Sequence, residues 1–350
     1  MLANDRAEIS GYSWLMKLHV AQIGVGYWGP NLLRNLTENE KCSVRTVVEI
    51  SKDRREFVRR NYPEIGTTAN LDEVINDASI DAVVISTPAD THFQIAKKVL
   101  GAKKHILVEK PMARSLEEIE ELTKLSERNG KVCMVGYTFL FNPAVRYVKK
   151  LIDDGIIGEI RYIYSQRVNL GRIRSDVDAL WNLAPHDISI IQYWLNGQSP
   201  ISVHCQGKAY VQDGINDVAF VNMVYPDGIL VNVHVSWLDP NKIRRLTIVG
   251  SKKMIVYDDM LENKVAIYDK GIDLMAVLVG RLDFDSRKGN AFAHRSGQID
   301  FPTVCWQEPL KIELDHFLDC ILDGRDCVSG PQQAAKVVEV LTRCDAVDDK

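Results

Sequence analysis

The chain predicts a doubly wound parallel α/β domain followed by an α+β domain with a large, mainly antiparallel open sheet. Three observations carry this expectation. From residue 18 to about 138, short apolar runs alternate with helical patterns, the mark of βαβ units. The first run enters a glycine-rich turn, G-V-G-Y-W-G, at Gly24–Gly29. Beyond about residue 138, β-rich runs follow one another with few helices between them.

Leu18–Ile23 is the first β-rich run, and Pro30 suits the first turn of the helix N-L-L-R-N-L that follows the glycines. Further strands are expected at Val44–Ile50, Asp81–Ser86, His105–Val108 and Val132–Val135. Helices are expected between them, among them Phe93–Leu100 and Leu116–Asn129. The latter opens with Ser115 three residues before Glu118, a capping-box spacing. In the second half a helix over Ala144–Ile152 precedes strands at Ile160–Asn169, Ile201–Tyr210, Val218–Tyr225, Ile229–Ser236, Arg245–Val249 and Lys253–Tyr257. Pro226-Asp227-Gly228 marks a hairpin turn. The last helices are expected at Lys311–Asp323 and Pro331–Cys344, and W-N-L-A-P-H-D (181–187) reads as the mouth of a buried helix. The division is then a tail at 1–16, a nucleotide-binding domain at 17–138, and a substrate-binding and oligomerisation domain at 139–350.

Composition narrows the function. The 350 residues suit about two domains, and 46% hydrophobic with 26% charged residues is an ordinary globular balance. A net charge of -4 provides no basic field for nucleic acid. No apolar run approaches the ~20 residues of a membrane span. Residues 1–16 lack the apolar core of a secretory signal. Seven cysteines, an odd number without a C-x-x-C pair, argue against a disulfide framework and a structural zinc site. No H-x-x-x-H stands out either, so no metal is expected, and the reducing cytoplasm is the expected compartment.

Gly24, Gly26 and Gly29 follow a strand and open a helix, with Tyr27 and Trp28 between them. In that context glycines let a backbone approach a pyrophosphate at a helix N-terminus, as in the Rossmann fold. Glu49 ends the second strand, 20 residues after Gly29, where an acidic side chain receives ribose hydroxyls. Its charge repels a 2′-phosphate, so NAD is expected over NADP, although Arg54 and Arg55 lie nearby. Ligands of open α/β sheets sit beyond the carboxyl ends of the strands. Thr87 and Pro88 should therefore line the cofactor cleft, and His92 either contacts the ligand or makes a structural hydrogen bond. The fourth strand delivers Glu109-Lys110-Pro111 to the same cleft. There Lys110 is placed to hold a substrate hydroxyl and lower its pKa as hydride leaves the same carbon.

G-V-G-Y-W-G, T-P-x-x-x-H and V-E-K-P, followed by a β-rich domain, together resemble the glucose-fructose oxidoreductase / inositol dehydrogenase / rhizopine-catabolism (Gfo/Idh/MocA) family over residues 17 to about 345. The resemblance implies that Lys110 is a catalytic or substrate-binding lysine and that Glu109 helps place the nicotinamide. It implies a second-domain sheet whose open face carries substrate and often builds a dimer, so a homodimer or homotetramer is expected. A family motif supplying an aspartate and, four residues later, a histidine aligns with Asn182 and His186. The histidine is kept; the aspartate is not. His186 is then the candidate acid/base beside Lys110, and Asp187 either orients it or caps the helix.

Tyr137, Asn142 and Arg146 follow the fifth strand and are expected substrate contacts. Arg167, Arg172 and Arg174 precede the histidine motif, and arginine forks suit phosphate or carboxylate. The stretch resembles the sugar-nucleotide dehydrogenases within the family. The expected reaction is NAD-dependent hydride transfer at a secondary alcohol of a sugar, at C3 of a nucleotide sugar such as UDP-N-acetylglucosamine or its uronate. Three alternatives stay open: a free polyol or inositol-type dehydrogenase, an NAD-dependent glycoside hydrolase, and a non-catalytic NAD-binding regulatory protein.

Overall fold

The structure, a computed structural model, describes residues 17–276 and 290–348; the expected tail at 1–16 lies outside them. The first half is a six-stranded parallel sheet in the order β3-β2-β1-β4-β5-β6. Its strands are β1 (Leu18–Ile23), β2 (Cys42–Val48), β3 (Gly66–Thr68), β4 (Ala82–Ile85), β5 (His105–Glu109) and β6 (Cys133–Gly136). Helices α1 (Gly29–Thr37), α2 (Lys52–Asn61), α3 (Leu71–Asn76), α4 (His92–Gly101) and α5 (Leu116–Asn129) connect them. All four residues of β4 and of β6 are buried, as expected of parallel strands covered on both faces. From β1 the order runs outward to β2 and β3 on one side and to β4, β5 and β6 on the other. The switch point between β1 and β4 opens the crevice in which such sheets bind ligands.

Helix α5 starts as its sequence predicts, with the Ser115 hydroxyl accepting from Glu118 N at 3.2 Å. The Glu118 carboxylate accepts from Arg114 N at 3.0 Å, one residue upstream of the usual capping-box partner.

The second half is an eight-stranded sheet in the order β14-β13-β12-β11-β7-β10-β9-β8. Its strands are β7 (Ile160–Leu170), β8 (Ser202–Lys208), β9 (Val218–Val224), β10 (Leu230–Ser236), β11 (Leu238–Gly250), β12 (Met254–Asp258), β13 (Val265–Ala276) and β14 (Asn290–Asp300). All its pairings are antiparallel except β7 with β10. Pro226–Gly228 turns β9 into β10 as expected. Helices α6 (Pro143–Asp153), α7 (Ala179–Trp194), α8 (Pro309–Leu322) and α9 (Pro331–Asp348) complete the order. Helix α7 lies on β7, β9 and β10, and α9 lies on β8; α8 and α9 also reach back to α1, α5 and β6. The opposite face of the sheet shows Tyr162, Tyr164, Phe220 and Leu230 to solvent.

Two expectations change. W-N-L-A-P-H-D does not sit at a helix mouth. Helix α7 begins at Ala179, capped by Asp178, whose carboxylate accepts from Trp181 N at 2.8 Å, and Pro185 lies inside the helix. The cap lies three residues before the motif, so the whole stretch falls inside the helix. Strand β11 is also longer than the expected Arg245–Val249. Its first half, L-D-P-N-K-I-R, carries proline and charge and is mostly exposed, so no apolar alternation reveals it. No helix among the described residues is long and apolar enough to cross a membrane.

Candidate active site

The cofactor end is shaped by backbone. Gly24 has φ +91, and a Cβ there would lie 2.7 Å from the Ser86 carbonyl oxygen. A Cβ on Gly29 would lie 2.6 Å from the Gly24 oxygen, so both positions require glycine. A Cβ on Gly26 would meet nothing within 4 Å, leaving the turn open on the side a pyrophosphate approaches. Tyr27 is 86% exposed and Trp28 40%, so these aromatics stand at the rim. The Glu49 carboxylate accepts from Val25 N at 2.7 Å and Ser51 N at 2.9 Å. Each oxygen keeps a lone pair for a ribose hydroxyl. Arg55 donates to the carbonyls of Glu49 and Ile50 at 2.6 and 2.9 Å, which turns its guanidinium toward the backbone. Arg54 is exposed. The glycine cradle and the held carboxylate fit an NAD adenosine diphosphate.

Thr87 and Pro88 follow β4 at the cleft. Thr91 donates to the Thr87 hydroxyl at 2.7 Å and fixes the turn. His92 does not face a ligand. It is buried, with Nδ1 2.7 Å from the Pro111 carbonyl and Nε2 2.9 Å from the Thr87 carbonyl. It braces the segment after β4 against the segment after β5, the structural role its sequence context left open.

At the end of β5, Lys110 Nζ donates to the Asn182 carbonyl at 2.7 Å. That bond joins the parallel sheet to α7, one helical turn before His186. Burial lowers the Lys110 pKa, with help from the Arg174 and Arg167 cations, while Glu109 opposes the shift. Burial raises Glu109, while Lys110 opposes it. His186 and Phe139 form a T-shaped ring pair, centroids 5.1 Å apart. Burial first, then the Lys110, Arg167 and Arg244 cations, hold its pKa well below 6.5, so it is a neutral imidazole. Its Nδ1 is buried without a partner among the described residues, as is Glu109 Oε1.

Several expected substrate contacts lie behind this surface. Arg167 and Asp187 form a buried bidentate pair, Nη2 to Oδ1 2.8 Å and Nε to Oδ2 3.1 Å. Asp187 therefore neither orients His186 nor caps α7, and Arg167 has its fork committed within the protein; its guanidinium also lies over Phe139 at 4.4 Å. Asn142 is buried; it caps α6 by accepting from Ala144 N at 2.9 Å and donates to Tyr257 Oη at 3.1 Å. Arg146 donates to the Leu140 carbonyl at 3.0 Å and lies over Phe141. Tyr137 is buried, and its hydroxyl has no partner among the described residues.

Arg172 and Arg174 remain toward solvent. Arg172 is exposed, and half-buried Arg174 pairs with Asp176 at 2.5 Å. Arg244 is a residue the sequence reading missed: the β7–β11 register sets it opposite Arg167, and it pairs with Asp259 at 3.5 Å. Glu313 was missed too. It is buried on α8, accepts from the Thr138 hydroxyl at 2.8 Å, and has its pKa raised well above 4.5 by burial and then by Glu109. Local pattern could reveal neither, since strand pairing and the packing of α8 bring them here.

Comparison with known proteins shows the family. The family description "Oxidoreductase family, NAD-binding Rossmann fold" matches residues 18–137, and the GFO/IDH/MocA C-terminal domain matches residues 145–256. The 2,7-anhydro-N-acetylneuraminate hydratase of Escherichia coli is 25% identical over 324 residues, 86% of each chain. The UDP-N-acetylglucosamine 3-dehydrogenase of Acidithiobacillus ferrooxidans is 27% identical over 274 residues, 77% of this chain and 80% of its own. The solved structure of the latter enzyme superposes with a TM-score of 0.78 at 22% identity, covering 95% of this chain and 97% of its own, a likeness of fold.

Proposed function

This chain belongs to the Gfo/Idh/MocA oxidoreductases, whose first domain is an NAD-binding Rossmann fold, and on that premise we propose that it is an NAD-dependent dehydrogenase or ketoreductase of a sugar secondary alcohol. The substrate position is C3 of a nucleotide sugar, such as UDP-N-acetylglucosamine or its uronate, in surface-glycan biosynthesis. The observation that carries this reading is the Lys110–Asn182 bond, which brings the strand-end lysine onto the helix turn bearing His186.

NAD, when bound, supplies the hydride acceptor at nicotinamide C4. The chain's residues manage the rest. The glycine turn and Glu49 would hold the adenosine end of NAD, and Glu109 would help place its nicotinamide. In oxidation the substrate hydroxyl loses its proton to Lys110 Nζ, whose lowered pKa suits that exchange. His186, neutral and flanked by cations, orients the hydroxyl by a hydrogen bond; its strongly lowered pKa makes it a poor holder of the proton. This division removes the need for an aspartate at position 182. Arg172 and Arg174 supply the positive rim for a diphosphate or a carboxylate.

Residues 17–138 form the proposed cofactor domain and residues 139–350 the substrate and oligomerisation domain. The exposed aromatics of the second sheet support a homodimer or homotetramer, and the free cysteines suit a cytoplasmic enzyme. The test is NADH appearance with nucleotide sugars and, separately, free polyols, together with NADH consumption with 3-keto nucleotide sugars. Turnover with a nucleotide sugar alone supports the reading; turnover with polyols alone overturns the substrate assignment. The similarity to a hydratase over 86% of the chain favours a second reading, addition or elimination without net NADH. That chemistry would show as product formation with no change in NADH.

A further inference from the structure

The cluster formed by His316, Cys320 and Cys327 lies outside the cleft and has no part in the proposed reaction. His316 and Cys320 stand four residues apart on α8 and so share a helix face. The loop between α8 and α9 brings Cys327 to them. Their donor atoms, one imidazole nitrogen and two sulfurs, all lie within 4.8 Å of one another. We propose that they bind a thiophilic divalent cation of the zinc class.

The geometry fits. Tetrahedral zinc with Zn–S about 2.3 Å and Zn–N about 2.0–2.1 Å sets an S···N edge of about 3.6 Å. Cys320 Sγ and His316 Nε2 are 3.5 Å apart. Tautomer selection fits as well. His316 Nε2 accepts from Val328 N at 3.1 Å, which leaves the ring proton on Nδ1. That is the neutral form a metal needs at Nε2, and the cation would replace the Val328 N–H there. The charge closes too: two thiolates and neutral imidazole balance a divalent ion. Nearby Asp319 is already matched, its Oδ1 by Lys41 and its Oδ2 by Arg325 at 2.9 Å, so it is not drawn on as a ligand. Water takes the fourth position, since His316 and Cys327 are only half-buried.

The cation would tie the end of α8 to the loop before α9. That loop is already joined to the parallel sheet, where Ser329 O accepts from Val135 N at 2.8 Å. The site is therefore a clamp between the last two helices and β6. The spacing, H-x3-C-x6-C, contains no C-x-x-C, which is why sequence alone led to an expectation of no metal.

The test is titration of the reduced full chain with Zn²⁺ against a chromogenic chelator, with Co²⁺ as the spectroscopic probe. One equivalent of Zn²⁺ is expected, with sulfur-to-cobalt charge-transfer absorption and a rise in Tm. C327S, on the half-buried loop, and H316Q are each expected to weaken binding by at least about tenfold. C305S, at an exposed cysteine elsewhere, serves as the control and should leave binding unchanged. The proposal is overturned by absence of saturable binding at one equivalent, or by C327S and H316Q binding Zn²⁺ as tightly as the parent. The outcome is independent of NADH assays, so it stands or falls apart from the proposed reaction.

Discussion

At the glycine turn, the groups that would meet a cofactor are fixed by backbone. Gly24 and Gly29 have no room for a side chain, and both Glu49 oxygens rest on backbone N–H groups. Across the cleft, at Lys110 and His186, charge is crowded. Two cations press on Lys110, three press on His186, and buried atoms of His186, Glu109 and Glu313 lack partners among the described residues. The first region is preorganised for one ligand shape. The second holds groups away from their ordinary protonation, which is where proton exchange at neutral pH becomes feasible. Shape is cheap to hold in backbone; poised ionisation needs burial and neighbours drawn from several elements.

The largest expected effect breaks the second region. Lys110→Met should lower kcat/KM by about 10²–10⁴, the range for a general acid/base, with NAD binding nearly unchanged. In the parent enzyme, oxidation should accelerate as pH rises and Lys110 becomes a free amine. Reduction, which needs the ammonium, should slow over the same range. Because burial lowers the lysine's pKa, this limb should fall below the pH at which an ordinary lysine titrates, and it should vanish in the variant. Steady-state pH profiles in both directions check this. A limb that persists without Lys110 would return the proton to His186.

The next effect tests what stands behind the site. Asp187→Ala leaves Arg167 buried without a counter-charge and should cost about 3–5 kcal/mol of stability. Pairing it with Arg167→Met should recover most of the loss. Urea unfolding of the two variants measures the difference. If Asp187 acted on His186 instead, the single variant would lose activity while keeping its stability.

This pair also shows what sequence could and could not disclose. The glycine turn, Glu49 and Lys110 were legible because each is a local signal: a turn that admits only glycine, a carboxylate at a set spacing, a charged residue at a strand end. His186 carries no such signal and was singled out only through the family resemblance. Arg167 was legible as an arginine but not as a partner of Asp187, since the two meet only when β7 lies beneath α7. Arg244 depends on the β7–β11 register, and Glu313 on α8 returning to the first sheet. Asn142 and His92 carry the residue types of a binding site yet serve as cap and brace. Polar side chains near a cleft compete for backbone groups as readily as for ligands.

A smaller effect sharpens the substrate side. Arg172→Ala with Arg174→Ala should raise KM for a nucleotide sugar by about 10–100-fold, the loss of one charge-assisted hydrogen bond. Turnover of an uncharged polyol, if present, should not move. Arg174 already pairs with Asp176, so most of the change should come from Arg172. Equal effects on charged and neutral substrates would reduce the loop to a solvated surface.

The smallest effect belongs to the preorganised end. Glu49→Gln keeps one acceptor oxygen and loses the charge, so NAD affinity should fall by about 1 kcal/mol, roughly fivefold. The amide's N–H₂ would also face Val25 N or Ser51 N, so Tm must be measured alongside. The informative quantity is the NAD/NADP ratio. With the carboxylate gone, the 2′-phosphate is no longer repelled, and NADP should bind better in absolute terms while NAD binds worse. A fall in both affinities together would mean that Glu49 only shapes the turn. Cofactor choice would then rest with the exposed Arg54 and its neighbours, and the preorganised end would be less selective than its geometry implies.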